Sequence, residues 1–343
     1  MISNRPSFEK IHYMLRPRKQ VERKIIIELL QELQTALDID ITKYQYVGLG
    51  SIYYYDFILF NKYLNITDMI SLDYQTCVQR FEFNVPFDFV RFKNLTTTRF
   101  LDSQSASTSR NRLIWFDYDS RLILSSERRG KRGTERQFRL NKPILDDISV
   151  LTRQSRENDF FILTVSLDIP PKVFFNINVR NQFLEQFKPY LSGKYKSVGN
   201  IKFENYRYII QNVVLNSFKN NETSQALKFR KLFSFAYGDT TPMYTLGGIY
   251  RAEDLEPALF RSDFFQLDED NITDIDVPLL TYREKLKLDQ TVDFLGQQLS
   301  QAQSDDDLSK LAVEKLGFEL ECLDLRNYIK YYRYYPQYYE GII

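Results

Sequence analysis

The sequence predicts an α/β protein with a Rossmann-like, mostly parallel sheet flanked by helices. Short and almost continuously apolar runs alternate with segments of helical periodicity, as in parallel strands that are covered on both faces. A glycine turn, Gly48-Leu-Gly50, joins the first of these runs to a helix, and aspartates follow several of the others. Ligands of open parallel sheets bind at the carboxyl ends of the strands, so these turns form the candidate site.

A basic segment and an amphipathic helix come first, in a region that we delimit at 1–42. Apolar residues recur at helical spacing from Val21 to Leu37, with charged residues between them. Pro17 lies near the start of the helix, where its missing N–H group costs little. We expect this helix to form an appendage that packs on the domain that follows.

The central domain is predicted over 43–250. Its strand-like runs are residues 43–47, 69–72, 87–92, 113–116 and 160–167, and its helix-like segments are 53–64, 142–154 and 181–190, with an uncertain element at 206–215. Two further apolar and aromatic runs, 229–237 and 243–250, are separated by Gly238-Asp-Thr-Thr-Pro242. This arrangement predicts an antiparallel hairpin at the edge of the sheet.

The remaining residues, 251–343, are predicted to form an acidic linker and a C-terminal extension that is helical and rich in tyrosine. Residues 251–276 are irregular and rich in Asp and Glu, which is typical of a surface segment. Helical segments are expected over 281–299 and 311–335, with polar residues 301–309 between them.

The composition excludes several classes of protein. The 343 residues carry a formal net charge of +1, one histidine, His12, and two isolated cysteines, Cys77 and Cys322. Hydrolases with a Ser-His-Asp or Cys-His site, HExxH metalloproteases and zinc deaminases would all depend on His12, whose basic amphipathic setting is typical of a packed histidine. The cysteine spacing excludes a disulfide framework and a cysteine-rich zinc site.

Hydrophobic patterning predicts a cytoplasmic protein. No apolar run approaches the roughly 18–20 residues of a membrane span. The first residues also lack the apolar core of a secretory signal. We therefore expect no membrane contact.

Positive charge is concentrated in two segments. Residues 5–24 and residues 127–142 each contain seven Lys or Arg and two Glu. Such asymmetry indicates either a solvated face or an anionic partner such as a nucleic acid. Within the second segment, residues 127–139 contain two glycines and no apolar periodicity, which predicts a loop. Its cations are the candidate phosphate-binding residues, namely Arg128, Arg129, Lys131, Arg132 and Arg136.

The glycine turn is the candidate cofactor site. Gly48, Gly50 and Ser51 join a strand to a helix, where glycine lets a ligand approach the backbone and the helix N-terminus presents N–H groups. Tight turns of this kind also use glycine for steric reasons alone. Asp73 ends the second strand about 20–25 residues later, the spacing of an acidic residue that accepts hydrogen bonds from ribose hydroxyls. Asp73 and the following Tyr74 complete the predicted site.

Two aspartates end the fourth strand, in Trp115-Phe-Asp117-Tyr-Asp119. Carboxylates at this place can orient an acceptor, act as a base or bind a divalent cation, although an aspartate at a strand end also often caps the next turn. Methyl transfer from a sulfonium requires positioning and a deprotonated nucleophile, so it needs no histidine. The candidate catalytic residues are therefore Asp117 and Asp119, and no metal site is predicted.

Five ordered motifs resemble a family of bacterial proteins called putative O-methyltransferases. The motifs are Leu15-Arg-Pro-Arg-Lys-Gln-Val-Glu-Arg-Lys24, Tyr46-Val-Gly-Leu-Gly-Ser-Ile52, Arg80-Phe-Glu-Phe-Asn-Val-Pro-Phe87, Trp115 to Asp119 and Tyr332-Arg-Tyr-Tyr-Pro336. The resemblance implies the fold of class I methyltransferases and S-adenosylmethionine as cofactor. That class usually has an acidic residue two places before the first glycine and often a third glycine, where this chain has Tyr46 and Ile52. Some relatives lie among bacterial defence genes.

Two functions are consistent with these observations. The first is an S-adenosylmethionine-dependent methyltransferase for a nucleic acid, nucleotide or protein acceptor, with Asp73 at the cofactor and Asp117 or Asp119 at the acceptor. The second is a binding subunit that has kept the fold without methyl transfer, within an anti-phage defence complex or another complex of proteins and nucleic acid. Tyr46 and Ile52 favour the second function, whereas the aspartates favour the first.

Overall fold

The structure of the chain is a computed structural model. It describes residues 16–74, 78–104, 110–130, 133–168, 176–222, 227–238, 241–301 and 313–337, without the side chains of 125–137, 300 and 301. His12, Cys77 and most of the polar stretch predicted at 301–309 lie outside these residues.

Helices and strands alternate through most of the chain. The first half contains α1 (Pro17–Ala36), β1 (Gln45–Leu49), α2 (Tyr55–Leu64), β2 (Asp68–Leu72), α3 (Val78–Phe83), β3 (Val90–Lys93), α4 (Thr97–Ser103), β4 (Arg112–Arg121), β5 (Ile123–Gly130), β6 (Gly133–Leu140), α5 (Lys142–Gln154) and β7 (Phe160–Ser166). The second half contains α6 (Ile177–Phe187), α7 (Tyr206–Asn221), β8 (Lys228–Gly238), β9 (Pro242–Arg251), β10 (Thr273–Ile275), α8 (Tyr282–Asp289), α9 (Val292–Gln301) and α10 (Cys322–Tyr331).

Eight strands form one sheet in the order β10-β8-β9-β7-β4-β1-β2-β3. The five strands β3, β2, β1, β4 and β7 are parallel to one another. Strand β9 pairs antiparallel with β7. This order confirms the predicted Rossmann-like sheet with its appended hairpin. The short strand β10 pairs beyond the hairpin and was not anticipated, because three residues within an acidic segment carry no recognisable strand pattern.

Both faces of the central strands are buried, which explains their nearly continuous apolar sequence. All seven residues of β7 are buried. On one face, side chains such as Val47, Phe116 and Leu163 form a large core cluster with apolar residues of α5 and α7. On the other face, Trp115 stacks on Phe60 of α2. Burial of each such large side chain stabilises the fold by about 1.5–3 kcal/mol, so the parallel strands anchor the domain.

Residues 127–139 were expected to form a loop, and this expectation was wrong. They belong to an antiparallel two-stranded sheet of β5 and β6, paired from Ile123 opposite Leu140 to Gly130 opposite Gly133. Buried Ile123 and Phe138 fix the base of the hairpin. The register also places residues of opposite charge across from each other, Glu127 with Arg136 and Arg128 with Glu135.

Two other boundaries differ from the sequence prediction. The helix expected over 281–299 is divided into α8 and α9, where the hydroxyl of Thr291 donates to the carbonyl of Lys287 at 2.9 Å and competes with the backbone ladder. The extension expected over 311–335 contains Gly317 with a φ of +79°, which ends a helical turn before α10 begins. The uncertain element at 206–215 is helix α7.

The described residues form two compact units. One comprises residues within 16–26, 237–238 and 274–337, and the other comprises most of the sheet and its helices. In the first unit, Tyr331 donates to the carbonyl of Asp274 at 2.7 Å and Tyr335 to that of Pro278 at 2.8 Å. Both rings are buried, so these hydroxyl bonds satisfy the polar end of each tyrosine.

The described part of the first basic segment is mostly buried. Arg16, Lys19 and Arg23 are each at most 3% exposed. Arg18 donates to the carbonyl of Gly238 and pairs with Asp276 at 2.6 Å. Residues 5–15 lie outside the described part, so an anionic partner for this segment stays a prediction. None of the helices that the structure describes is long and apolar enough to cross a membrane.

Candidate functional site

The candidate residues meet at the carboxyl edge of the parallel strands. In the register of the sheet, Gly48 of β1 lies between Ser71 of β2 and Trp115 of β4. Two places further along the chain are Gly50 and Asp73, each one residue past the end of its strand, and Asp117. Asp117 shares the face of Trp115, because side chains on a strand alternate between faces. The structure thus brings the predicted glycine, the predicted ribose-binding acid and one predicted catalytic acid to neighbouring positions.

Gly50 fits against β2 only because it has no side chain. Its N–H donates to the carbonyl of Leu72 at 2.9 Å. A Cβ atom at this position would overlap the Oγ atom of Ser71, which is fully buried. The turn after β1 therefore lies directly beside the end of β2, next to Asp73.

Gly48 has a different role, since it accommodates Tyr46. A Cβ atom on Gly48 would lie 2.7 Å from the ring carbon Cζ of Tyr46. The Tyr46 ring is buried and packs edge-on against Phe57 at 4.9 Å and Phe60 at 4.7 Å between centroids. Tyr46 thus fills space above β1 where class I methyltransferases usually carry an acidic side chain.

The turn into α2 is held by its own backbone and by Tyr54. Ser51 accepts from the N–H of Tyr54 at 3.1 Å through its carbonyl and from that of Tyr53 at 3.3 Å through its hydroxyl. Tyr54 has a φ of +48°, an uncommon conformation for a residue with a side chain. Its buried phenol donates to the carbonyl of Phe81 at 3.0 Å.

The pKa of the Tyr54 phenol is shifted by its burial and by its neighbours. Burial raises the pKa of Tyr54 to about 12, the Ser71 hydroxyl lowers it, and the negative charges of Asp73 and Glu82 raise it further. We did not single out Tyr54 from the sequence. The run Tyr53-Tyr54-Tyr55 after the glycine turn was the available signal.

Strand β2 ends at Leu72, directly before Asp73, as predicted. The N–H of Asp73 donates to the carbonyl of Lys93 at 3.3 Å, which continues the pairing with β3. The side chain of Asp73 is half-buried. The following Tyr74 is 64% exposed, and residues 75–77 lie outside the described part. Asp73 and Tyr74 thus border an accessible edge of the sheet.

The two aspartates of β4 differ in environment, and the tyrosine between them explains why. Asp117 is half-buried and Asp119 is exposed. Tyr118 points to the opposite face, where its hydroxyl donates to the buried carboxylate of Asp147 in α5. Thr98 donates to the same carboxylate at 2.7 Å. Burial, together with the charge of Asp147, holds the pKa of Tyr118 well above its usual range.

Beyond Asp117 the register between β4 and β7 shifts. Such irregularities often re-aim side chains beside functional sites. After the shift, Arg121 pairs with Asp168, the aspartate that follows β7. Asp168 is therefore part of this edge and is engaged in an ion pair.

The structure describes only the backbone of some of the predicted phosphate-binding residues. Arg128, Arg129 and Arg136 belong to the β5–β6 hairpin, and their side chains lie outside the described residues. The same is true of the whole of Lys131 and Arg132. Within the residues that the structure describes, no group of three His, Cys, Asp or Glu side chains is arranged to hold a metal ion.

The sheet order and the glycine turn beside an acidic strand end define a class I methyltransferase-like α/β protein. The sequence matches the profile of the family described as "Putative O-methyltransferase" over residues 11–127 and 137–343, so the chain belongs to that family. No curated protein matches the chain in sequence.

Solved methyltransferase structures are similar to this chain at low sequence identity and low TM-score. Trm1 from Pyrococcus horikoshii, in complex with S-adenosyl-L-methionine, is 13% identical over 68% of this chain and 55% of that chain, with a TM-score of 0.38. TrmK from M. capricolum, in complex with S-adenosylhomocysteine, is 9% identical over 88% of this chain and 94% of that chain, with a TM-score of 0.30. The chain therefore spans about half the length of Trm1, and the family assignment rests on the profile match alone.

Proposed function

We propose that the chain is an S-adenosylmethionine-dependent methyltransferase whose cofactor binds at the carboxyl ends of β1 and β2. The contact between Gly50 and Ser71 is the observation that carries this proposal. It holds the turn at Gly50 and Ser51 beside the end of β2, so a ligand bound at this edge contacts both the backbone of the turn and the carboxylate of Asp73.

Each residue at this edge has a role that its chemistry supports. Asp73 accepts hydrogen bonds from the ribose hydroxyls, as acids at this strand end do in dinucleotide-binding sheets. The exposed ring of Tyr74 lies next to Asp73 and covers the base. Asp117 lies at the same edge of the sheet as Gly50 and Asp73, and it orients the acceptor or accepts its proton. S-adenosylmethionine, when bound, supplies an electrophilic methyl group.

Calorimetric titration with S-adenosylmethionine and S-adenosylhomocysteine tests the proposal. We expect micromolar binding by the intact protein and loss of binding in Asp73→Ala. Asp293→Ala is the matched control, because it removes an exposed aspartate from α9. No binding by the intact protein would refute the proposed cofactor, and equal binding by Asp73→Ala would refute the proposed site.

The basic hairpin extends this proposal to the acceptor. Strand β5 begins two residues after β4 ends, so the hairpin leaves the sheet at the strand that carries Asp117. We propose that its cations, Arg128, Arg129, Lys131, Arg132 and Arg136, contact phosphates of the acceptor. Replacing the first four with alanine is expected to flatten the salt dependence of nucleic-acid binding. Absence of such binding in the parent protein contradicts this role.

A second candidate function is a binding protein that uses the fold within a larger complex without transferring methyl groups. Tyr46 favours it, because the Tyr46 ring occupies the space beside Gly48 where an acid is usual. Under this alternative the protein binds neither S-adenosylmethionine nor its product, and proteins that co-purify with it would be needed to find its role. The titration described above separates the two functions.

A further inference from the structure

The segment 176–208 forms a second basic surface beside the proposed acceptor side of the sheet. It begins after the end of β7 and includes α6, a series of short helical turns and the first residues of α7. Phe183 of this segment packs edge-on against Phe138, at the base of the hairpin, with 5.6 Å between ring centroids. At its other end, Tyr206 is buried, and burial raises the pKa of its phenol, with smaller effects from the charges of Arg121 and Asp168. The segment thus adjoins the ends of β4 and β7.

The backbone of the segment is held firmly against α7. Three asparagines at four-residue spacing form one stripe of that helix, and each bonds to the segment. Asn212 accepts from the N–H of Ser192 at 2.7 Å, Asn216 donates to the carbonyl of Tyr190 at 3.0 Å, and Asn220 donates to that of Pro189 at 3.2 Å. These bonds satisfy the polar backbone of an irregular segment, so it can be a rigid surface.

Apolar anchors determine which side of the segment faces solvent. Five side chains are at most 3% exposed, namely Phe183, Phe187, Leu191, Tyr195 and Ile201. The lysines between and beside them, at positions 188, 194, 196 and 202, are exposed. Phe203, next to the last of them, is 52% exposed. The segment therefore presents cations and one aromatic ring on a fixed backbone.

This surface carries an excess of positively charged residues. Residues 176–208 contain six Lys or Arg and two Glu, in a chain whose net charge is +1. Lys202 pairs with Glu204 at 3.7 Å, but both side chains are about half exposed or more, so the pair contributes little. Among the described residues, no carboxylate forms an ion pair with Lys188, Lys194 or Lys196. The lysines are thus available to an anionic ligand.

We propose that the 176–208 segment binds the phosphate backbone of a nucleic acid, and that this nucleic acid is the methyl acceptor. The identification of the acceptor rests on the proposed methyltransferase function. Lysines spread along a rigid surface suit a ligand with repeated phosphates, and an exposed phenylalanine suits an unstacked base. The apolar side chains Phe183 and Phe187 of α6 are buried against the core, so they are not free to enter a membrane interface.

Binding can be measured by fluorescence anisotropy with single-stranded and duplex RNA and DNA of equal length. The test variant is Lys194→Ala/Lys196→Ala/Lys202→Ala. The control variant, Lys43→Ala/Lys62→Ala/Lys228→Ala, removes three exposed lysines that lie outside the segment. We expect the test variant to bind at least about ten-fold more weakly, with the slope of log K against log salt reduced by about 2, and the control to resemble the parent.

Three results would overturn the proposal. The first is absence of binding by the parent to any of the four nucleic acids. The second is equal weakening in the test and control variants, and the third is displacement of nucleic acid by polyglutamate at the same charge concentration, since each of these two indicates attraction between charges without a defined surface.

S-adenosylhomocysteine titration of the same variants separates this proposal from the methyltransferase proposal. If the parent binds S-adenosylhomocysteine and no nucleic acid, the surface proposal fails and the methyltransferase proposal stands. If the parent binds nucleic acid through the lysines and no cofactor, the methyltransferase proposal and the acceptor assignment fail, while the surface stands. Transfer of labelled methyl to the bound nucleic acid, reduced in the test variant alone, supports both.

Discussion

Gly50 and Ser71 touch across the ends of two parallel strands, so residue 50 has no room for a side chain. We expect Gly50→Ala to lower the free energy of unfolding by about 1–3 kcal/mol through overpacking, and to weaken binding of S-adenosylhomocysteine. Ser71→Ala removes the obstructing hydroxyl. The double variant is therefore expected to recover at least half of the stability loss in urea unfolding. Gly48→Ala is the control, because its obstacle is Tyr46 and Ser71→Ala leaves that in place.

Asp147 is expected to stabilise the end of β4 through the hydrogen bond that it accepts from Tyr118. Its buried carboxylate accepts hydrogen bonds from Thr97, Thr98 and Tyr118. Removing the acceptors in Asp147→Ala leaves buried hydroxyls without a partner and is expected to cost about 1–3 kcal/mol. Chemical unfolding measures this cost. An unchanged unfolding midpoint would contradict it.

The same carboxylate gives a signature in the pH dependence of stability. Burial raises the pKa of Asp147, against the opposing effect of its hydroxyl partners, so the folded chain retains this proton to a higher pH than the unfolded chain. The contribution of Asp147 to the unfolding free energy therefore falls as pH rises from the unfolded-state pKa to the raised folded-state pKa. We expect wild type to lose stability relative to Asp147→Asn over that interval and to show a constant difference above it.

Lys231 provides a test at alkaline pH. Its amine is buried, donates to the carbonyls of Asp268 and Asn271, and has its pKa lowered by burial to about 8. Between pH 8 and the ordinary value of 10.5, the unfolded chain binds more protons, so the unfolding free energy rises with pH. The slope is at most about 1.4 kcal/mol per pH unit. Lys231→Met is expected to abolish this rise, and Lys228→Met, at an exposed position, to retain it.

The buried ion pair between Arg112 and Asp159 is expected to be important for stability. Asp159 accepts from the guanidinium at 3.1 Å and from the backbone N–H of Arg112 at 2.8 Å. Both side chains are less than 10% exposed, so Asp159→Ala leaves a buried charge without its partner and is expected to cost about 3–5 kcal/mol. Glu204→Ala breaks an exposed pair and is expected to cost less than about 1 kcal/mol. Thermal unfolding of the two variants compares these costs.

The sequence best predicted the helices and strands that a local apolar periodicity marks. Helix α5 has the predicted bounds, and β7 ends one residue before the predicted end, because apolar periodicity marks both clearly. The β5–β6 hairpin was missed because its support comes from residues paired across the strands. The partners of Asp147 lie 29 to 50 residues away in sequence, so no local pattern reveals them.

The candidate site was likewise predicted where it depends on local sequence and missed where it depends on contacts between distant residues. The spacing between Gly50 and Asp73 was visible in the sequence, since it follows from the length of one strand-helix-strand unit. The exchange of an acid for Tyr46 was also visible, but its reason was not, because it depends on the close packing of Gly48, Phe57 and Phe60 around the ring. The asparagines of α7 are evenly spaced in sequence, yet only the folded chain shows the segment that they bind.

The β5–β6 hairpin and the 176–208 segment both follow neighbouring strands and lie outside the ladder of the large sheet. Insertions or deletions in either can therefore leave the register of β1, β2 and β4 unchanged. Exposed residues of either segment can thus change while the strand ends at Gly50 and Asp73 stay as they are, provided that buried residues such as Phe138 and Phe183, which belong to the main core, are kept.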